Sequence, residues 1–441
     1  MNRILLALAG AVTVVSPGAS AQIADSATHS QIPVVTLEEA IRLSAIVQPS
    51  VISAEGSVRN AGAQIRAARG QFLPSVTAQS SAGNSFSEGA RTDPITGNLV
   101  AANQSNTSIS MGLSARVDLF TGFRRGTDVR AARAQGSAAD ASLVDAQYQS
   151  KLNTTTAFFN ALYDAQLVQV RQAGVRRADE QLKISIAKLA SGSATRSDSL
   201  QSLVQLGNAR VQLVNALSLL ATDEANLGRL VGAEGRVAAA DDSAYYRVMT
   251  IPDTAQIRRE AVERSPRVQS TLATQNAARA TLSSARSAYW PTLSLAGNYN
   301  YNGSKSLDYE LFNNRSVSLS LSWPLFNNFT RERNITLQEV SLEIAEANAT
   351  DTRRQILASL TGQLGSLEAA RLRIEITTIS VAAAEEDLRV QRERYRLGAS
   401  TIVELLTSQE NLDQAEVDLV NARFDYLKAK AQIEAIIGRT L

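Results

Sequence analysis

The sequence contains no cysteine, one histidine (His29), nine prolines and no run of eighteen uninterrupted apolar residues. The missing cysteine excludes disulfides, thiolate metal sites, a cysteine nucleophile and an acylated N-terminal cysteine. The short apolar runs exclude a membrane-spanning helix. There is no GxxxxGK[ST] loop and no glycine-rich dinucleotide motif after a strand, so an enzyme has little support in the sequence. No cofactor or metal is expected, and any active transport must draw its energy from a partner. The formal net charge of +2 gives no electrostatic case for nucleic acid or an anionic membrane surface.

What is present begins with an export signal. Residues 1–21 combine Arg3, an apolar stretch from Ile4 to Val15 and a small-residue site at Ala19-Ser20-Ala21, the pattern of a cleaved secretory signal peptide. A polar, flexible leader is expected over 22–35. The rest divides into two repeats, 36–232 and 254–441, joined by a linker over 233–253. At an offset of 206, Gly192 meets Gly398, Thr195 meets Thr401, Leu213-Val214-Asn215-Ala216 meets Leu419-Val420-Asn421-Ala422, and Gly232 meets Gly438. Nearer each start the offset is 217, pairing Pro49 with Pro266 and FLPSV with YWPTL. The difference falls in a loop over residues 84–106 that is longer in the first copy.

Proline placement shapes each repeat, because a helix interior loses a hydrogen bond and clashes at proline. None falls between Pro94 and Pro252 or after Pro324. Segments 123–190 and 329–396 are therefore free to form helices about 100 Å long. Val168, Val175, Leu182 and Leu189 recur every seven residues, echoed by Ile374, Val381, Leu388 and Tyr395, which predicts coiled-coil seams.

Two strands are expected ahead of each long helix. Leu293, Leu295, Tyr299 and Tyr301 alternate with Thr292, Ser294, Asn298 and Asn300, and Val317, Leu319 and Leu321 alternate with serines. Alternation alone fits a sheet with one face on a soluble core. Export, a polar face of small uncharged residues and a girdle of Phe72, Tyr289, Trp290 and Trp323 at the strand ends favour a transmembrane β-barrel instead. Four strands cannot close a barrel, and lipid does not tolerate an open edge, so the chain must oligomerise. Eight strands would enclose only side chains, whereas twelve leave a lumen. Strand arithmetic leaves trimer against tetramer open.

In order and in repeat, these segments resemble the TolC family of outer-membrane efflux and secretion channels. The resemblance rests on TLEEAIRLSAIVQPSV, on LPSVTAQSSAG with its echo WPTLSLAGNYNYNG, on the corners LFTGFRR and LFNNFTR, and on a doubled glycine-to-acid motif. It implies a mainly α fold with a small β part. Long coiled-coil helices of a homotrimer would form a tunnel, continued into a barrel of four strands per chain and twelve in total. It also implies a Gram-negative outer membrane with the helical part in the periplasm, docked on a periplasmic adaptor and an inner-membrane pump of RND, ABC or MFS type. Multidrug efflux and type I secretion are both implied as uses.

The doubled motif is SGSATRSDS over 191–199 and LGASTIVEL over 397–405. Locally it predicts a helix stop at glycine, a tight turn and a restart capped by Thr195 with Asp198 and by Thr401 with Glu404. By resemblance, Asp198 and Tyr395 hold neighbouring hairpins in the closed state, and Glu404 matches the outer constriction acid. Ser400 stands where the family has a locking arginine, and Thr407 where it has an inner constriction acid. A weaker lock and a less acidic constriction are therefore expected. Ser191, Gly192, Ser193 and Ala194, with Leu397, Gly398, Ala399 and Ser400, form the expected adaptor-docking tips. The competing readings are a trimeric barrel-and-coiled-coil adhesin and a soluble coiled-coil scaffold. An adhesin places all its strands after one stalk, whereas here strand pairs interrupt helices twice. A scaffold leaves the serine-alternating strands unexplained.

Overall fold

The computed structural model of the protein describes residues 32–93, 95–101, 104–247, 254–304 and 310–441. The signal segment, His29 and most of the leader lie outside these residues. The first repeat supplies helices α1 (Leu37–Val47), α2 (Pro49–Gly70), α3 (Arg124–Ala190) and α4 (Arg196–Val231). The second supplies α5 (Thr254–Arg264), α6 (Pro266–Arg286), α7 (Thr330–Arg396) and α8 (Ile402–Ile437). The two long rods have 67 residues each and begin one residue later than the expected segments 123–190 and 329–396. Pro49 and Pro266 open α2 and α6 at a position where the missing N–H has no helical partner to lose.

The helices form one layer. Near the strands its order is α2, α3, α6, α7; toward the far end it is α4, α3, α8, α7. The main core lies midway along the rods, where Phe158, Leu162, Leu227, Leu360, Phe424, Ile433 and Ile437 are fully or nearly fully buried. Side chains of this size contribute about 1.5–3 kcal/mol each on burial. Two connectors expected to be polar links meet on this core. β1 (Val34–Val35) pairs in parallel with β6 (Ala238–Ala239), so the end of the leader and the linker form a two-stranded sheet. Such two-residue strands have no periodicity to read. Asp242 caps the turn Ser243–Tyr246, and Asp241 accepts from the Tyr246 hydroxyl at 2.7 Å, so neither acid is simply solvated.

In the second repeat the seven-residue stripe has Leu388 and Tyr395 buried and Ile374 and Val381 half-buried; in the first only Val168 is buried, with Val175 and Leu182 half-buried. There Leu189 is exposed, and the buried line on α3 is Gly174, Ala178, Gln181 and Ser185. α3 lies between α4 and α8 and needs small side chains. A Cβ at Gly174 would sit 3.1 Å from Asp413 Oδ2, and the Ser185 and Ser202 hydroxyls pair at 2.8 Å.

The main sheet has the order β2 (Ser75–Ser87), β5 (Gln104–Phe120), β7 (Thr292–Ser304), β8 (Phe312–Ser322), antiparallel throughout. The longer loop of the first copy adds a small hairpin, β3 (Ala90–Thr92) with β4 (Leu99–Ala101). Strands of 13, 17, 13 and 11 residues meet or exceed the roughly 9–11 that a tilted strand needs to cross a bilayer.

Candidate functional site

Strand register gathers aliphatic residues on one face of the sheet over its helix-proximal part and small polar residues on the other. Ala115, Gly297 and Val317 are neighbours across β5, β7 and β8, and Val117, Leu295 and Leu319 form the next such row. On the other face Ser114, Asn298 and Ser316 align, followed by Gly112, Asn300 and Asn314. Ser81 and Ser110 share a 2.7 Å hydrogen bond on that polar face, and Asn298 donates to Ser316 Oγ at 3.4 Å. Val317, Leu321 and Leu319 are 81%, 68% and 63% exposed in the single chain. Large aliphatic side chains exposed over a contiguous face mark a surface covered by something apolar.

Phe72, Tyr289, Trp290 and Trp323, all partly exposed, gather where the strands meet the helices. Trp323 Nε1 donates to the Tyr289 carbonyl at 3.2 Å, and the Trp290 ring meets Phe123 edge-on at 5.9 Å. Arg331 stands 4.1 Å from the Tyr289 ring centre and Arg125 4.7 Å from that of Phe72. The strand-to-helix corners repeat. Gly122 and Phe123 are left-handed (φ +63° and +67°), as are Asn328 and Phe329 (φ +53° and +60°). A Cβ at Gly122 would come 2.3 Å from that of Trp290, so this corner requires glycine. Left-handed backbone at a non-glycine residue costs about 1–3 kcal/mol, set here against packing of the aromatic corner.

At the opposite end both helical hairpins close as the motif predicts. Gly192 and Gly398 have φ of +74° and +78°. Ser193 N–H donates to the Lys188 carbonyl and Ala399 N–H to the Arg394 carbonyl, each at 2.8 Å, completing a Schellman stop. Thr195 and Asp198 form a full capping box, with the Asp198 carboxylate taking both the Thr195 N–H and its hydroxyl. The second box is incomplete. Thr401 caps the Glu404 N–H at 3.3 Å, but Glu404 meets the Thr401 hydroxyl and not its backbone N–H. Ser191, Gly192, Ser193, Leu397, Gly398 and Ala399 are exposed, while Ala194 and Ser400 are half-buried. Glu404 and Thr407, one turn apart on α8, are both exposed.

Tyr395 is buried in the seam of Leu388, Ile402, Leu405 and Leu412. The Lys188 ammonium lies 4.2 Å from its ring centre and donates to its carbonyl. The Tyr395 hydroxyl has no hydrogen-bond partner among the described residues. No hydrogen bond joins Asp198 to Tyr395 within the chain among those residues.

The layer has two unlike edges. β2, α2 and α4 form one, and β8 with α7 the other. On α4, Leu203, Val204, Val211 and Val214 are at least half exposed; on α7, so are Leu337, Ile344, Ile376 and Ile379. Both stripes have helical spacing and are left uncovered by the described residues of the chain. Among the described residues, no helix is long and apolar enough to cross a membrane.

The family profile described as "Outer membrane efflux protein" matches residues 41–233 and 257–439. The chain belongs to this family. It is 22% identical to the outer membrane efflux protein BepC of Brucella suis over 335 residues, covering 76% of this chain and 73% of BepC. It is 27% identical to protein CyaE of Bordetella pertussis, over 86% of this chain and 78% of CyaE. The fold matches the CmeC outer membrane channel of Campylobacter jejuni with a TM-score of 0.77 at 18% identity, covering 91% of this chain and 85% of CmeC. The two matched segments fall one in each repeat. This efflux-family protein is an outer-membrane channel with its helical part in the periplasm.

Three features of this family member escape sequence reasoning. Lys188, which holds Tyr395, sits in a helix end where basic residues are ordinary. Arg177 bridges α3 to α8, pairing with Asp413 and, at 2.7 Å, with Glu416. Asp164 is buried between α3 and α4; burial first, then the Asp223 carboxylate beside it, push its pKa up to about 6, while Lys428 pulls it down. The missed signal was the repeat itself. At the offset of 206, Asp164 and Asp223 correspond to the buried alanines Ala370 and Ala429.

Proposed function

We propose that three copies join edge to edge, β8 and α7 of one against β2, α2 and α4 of the next. Together they close a twelve-stranded outer-membrane barrel continued by a helical tunnel. The observation that carries this reading is the pair of unlike edges, each exposing apolar residues, with β2 and β8 each paired to a single neighbouring strand among the described residues. A head-to-tail contact between unlike edges closes into a ring when the rotation permits. A sheet edge left open in lipid would strand its N–H and C=O groups. The row chemistry supports the facing: aliphatic rows toward lipid, serine and asparagine rows toward water. A lumen lined mainly by small neutral groups, with Arg116 and Asp118 paired at its helix-proximal end, passes solutes of many kinds, so substrate choice falls to a pump. The reading therefore includes a periplasmic adaptor docking on residues 191–194 and 397–400 and an inner-membrane pump, with efflux or type I secretion as the use. Asp198 and Tyr395 hold neighbouring hairpins together in the closed tunnel. Six motif acids, Asp198 and Glu404 from each copy, surround its mouth, with Thr407 set beyond Glu404.

The test is single-channel recording of the purified protein in planar bilayers, with fractionation of the producing cells. Stepwise conductance and recovery in the outer membrane are expected. Recovery as a soluble periplasmic protein without conductance overturns the reading.

A further inference from the structure

The outer end of the aliphatic face carries polar groups that neither a lipid tail nor the lumen explains. Leu113, Tyr299 and Arg315 form one cross-strand row, followed by Met111, Tyr301 and Asn313. By register these side chains share the face of Val317, Leu319 and Leu321, away from the serines. The Tyr299 and Tyr301 hydroxyls lie 2.8 Å apart, and Asn313 Nδ2 donates to the Tyr299 hydroxyl at 3.1 Å. Arg315 stands over the Tyr299 ring, 5.0 Å from its centre, and has no ion-pair partner among the described residues. A lone guanidinium at the bilayer midplane of a barrel costs about 2–4 kcal/mol, falling nearly to nothing at the interface. Arg315 is eight residues along β8 from Trp323 of the girdle. At about 3.3 Å per residue and a tilt near 40°, that is roughly 20 Å of depth, close to the full apolar band of about 25 Å. The cluster therefore stands at the far interface, where headgroups begin. Directly below it, Gly297 leaves a shallow groove of about 350 Å³ bordered by Leu113, Ala115, Tyr299 and Val317.

We propose that this cluster binds the phosphate of an anionic outer-leaflet glycolipid, with one acyl chain lying in the groove over Gly297. The proposal rests on the reading that this face meets lipid. The charge fits, because a guanidinium presents paired donors to phosphate oxygens, and the two hydroxyls and the Asn313 amide add neutral donors beside it. The continuity fits as well, since the groove opens onto the aliphatic rows.

The test is native mass spectrometry of the full-length assembly titrated with diphosphoryl lipid A, phosphatidylcholine or inorganic phosphate. The comparison is wild type against Arg315→Gln and against Tyr299→Phe with Tyr301→Phe. Losing one charged hydrogen-bond partner predicts about tenfold weaker lipid A retention for Arg315→Gln, with phosphatidylcholine retention unchanged. The tyrosine pair should give a smaller loss. Equal lipid A retention by wild type and Arg315→Gln overturns the site, as does equal loss of both lipids. Retention of inorganic phosphate alone overturns the lipid as occupant. Quenching of the fluorescence of the two girdle tryptophans, Trp290 and Trp323, by brominated acyl chains separates the two claims. Quenching in every variant with unchanged lipid A retention overturns only the Arg315 site, whereas no quenching in any variant overturns the membrane facing itself.

Discussion

Neutralising Asp164 should stabilise the protein at neutral pH and leave it nearly unchanged in acid. The pKa of this buried carboxyl moves from 3.8 to about 6. Between those values the folded state keeps a proton that the unfolded chain has released, so stability falls as pH rises through that window. A shift of roughly two units at 1.36 kcal/mol each gives a penalty of about 3 kcal/mol, fully present by neutral pH. Asp164→Asn keeps a donor for Asp223 and carries no charge. It should therefore raise stability by up to about 3 kcal/mol near pH 7.5 and by little near pH 4. Thermal unfolding of both proteins, followed by circular dichroism across that range, measures the difference directly. A difference that does not change with pH refutes the reasoning, and so does a less stable Asp164→Asn protein at neutral pH.

Arg177→Ala leaves Asp413 and Glu416 facing each other without a cation. It should cost about 2 kcal/mol or more in thermal unfolding, below the ~3–5 kcal/mol of a fully buried pair because all three side chains keep some exposure. Arg177→Lys should recover only part, since a point charge cannot bridge two carboxylates in fork geometry. Asp198→Ala and Tyr395→Ala should raise single-channel conductance in planar bilayers by loosening the closed mouth. Unchanged conductance in both would reduce the pair to capping and seam packing. Trivalent cations added from the periplasmic side should block the channel through Glu404, and equal block of a Glu404→Gln channel contradicts that role.

Local signals were the readable ones. Proline exclusion allowed the long rods to run uninterrupted, and the glycine and threonine spacing gave both hairpin turns, because each turn depends on neighbours a few residues apart. Strand alternation foretold two faces, and the cross-strand register aligned them. The rest is tertiary. The shift of the α3 seam from Val175 and Leu182 to Gly174, Ala178, Gln181 and Ser185 follows from α3 lying between two helices, which a one-partner heptad reading does not include. The pairing of Val34–Val35 with Ala238–Ala239 is too short to carry a period. Arg177 with Asp413 and Glu416, and Asp164 with Asp223, join residues far apart in the chain, where a charge looks like any solvated charge. Only comparison of the two repeats separates Asp164 from its surface counterparts, because its echo is a buried alanine.

The central claim is closure of a ring by unlike edges, and the copy number of the intact assembly tests it most directly. Native mass spectrometry of the detergent-extracted protein should give three copies. Two or four copies, or a stable folded monomer, would contradict the account.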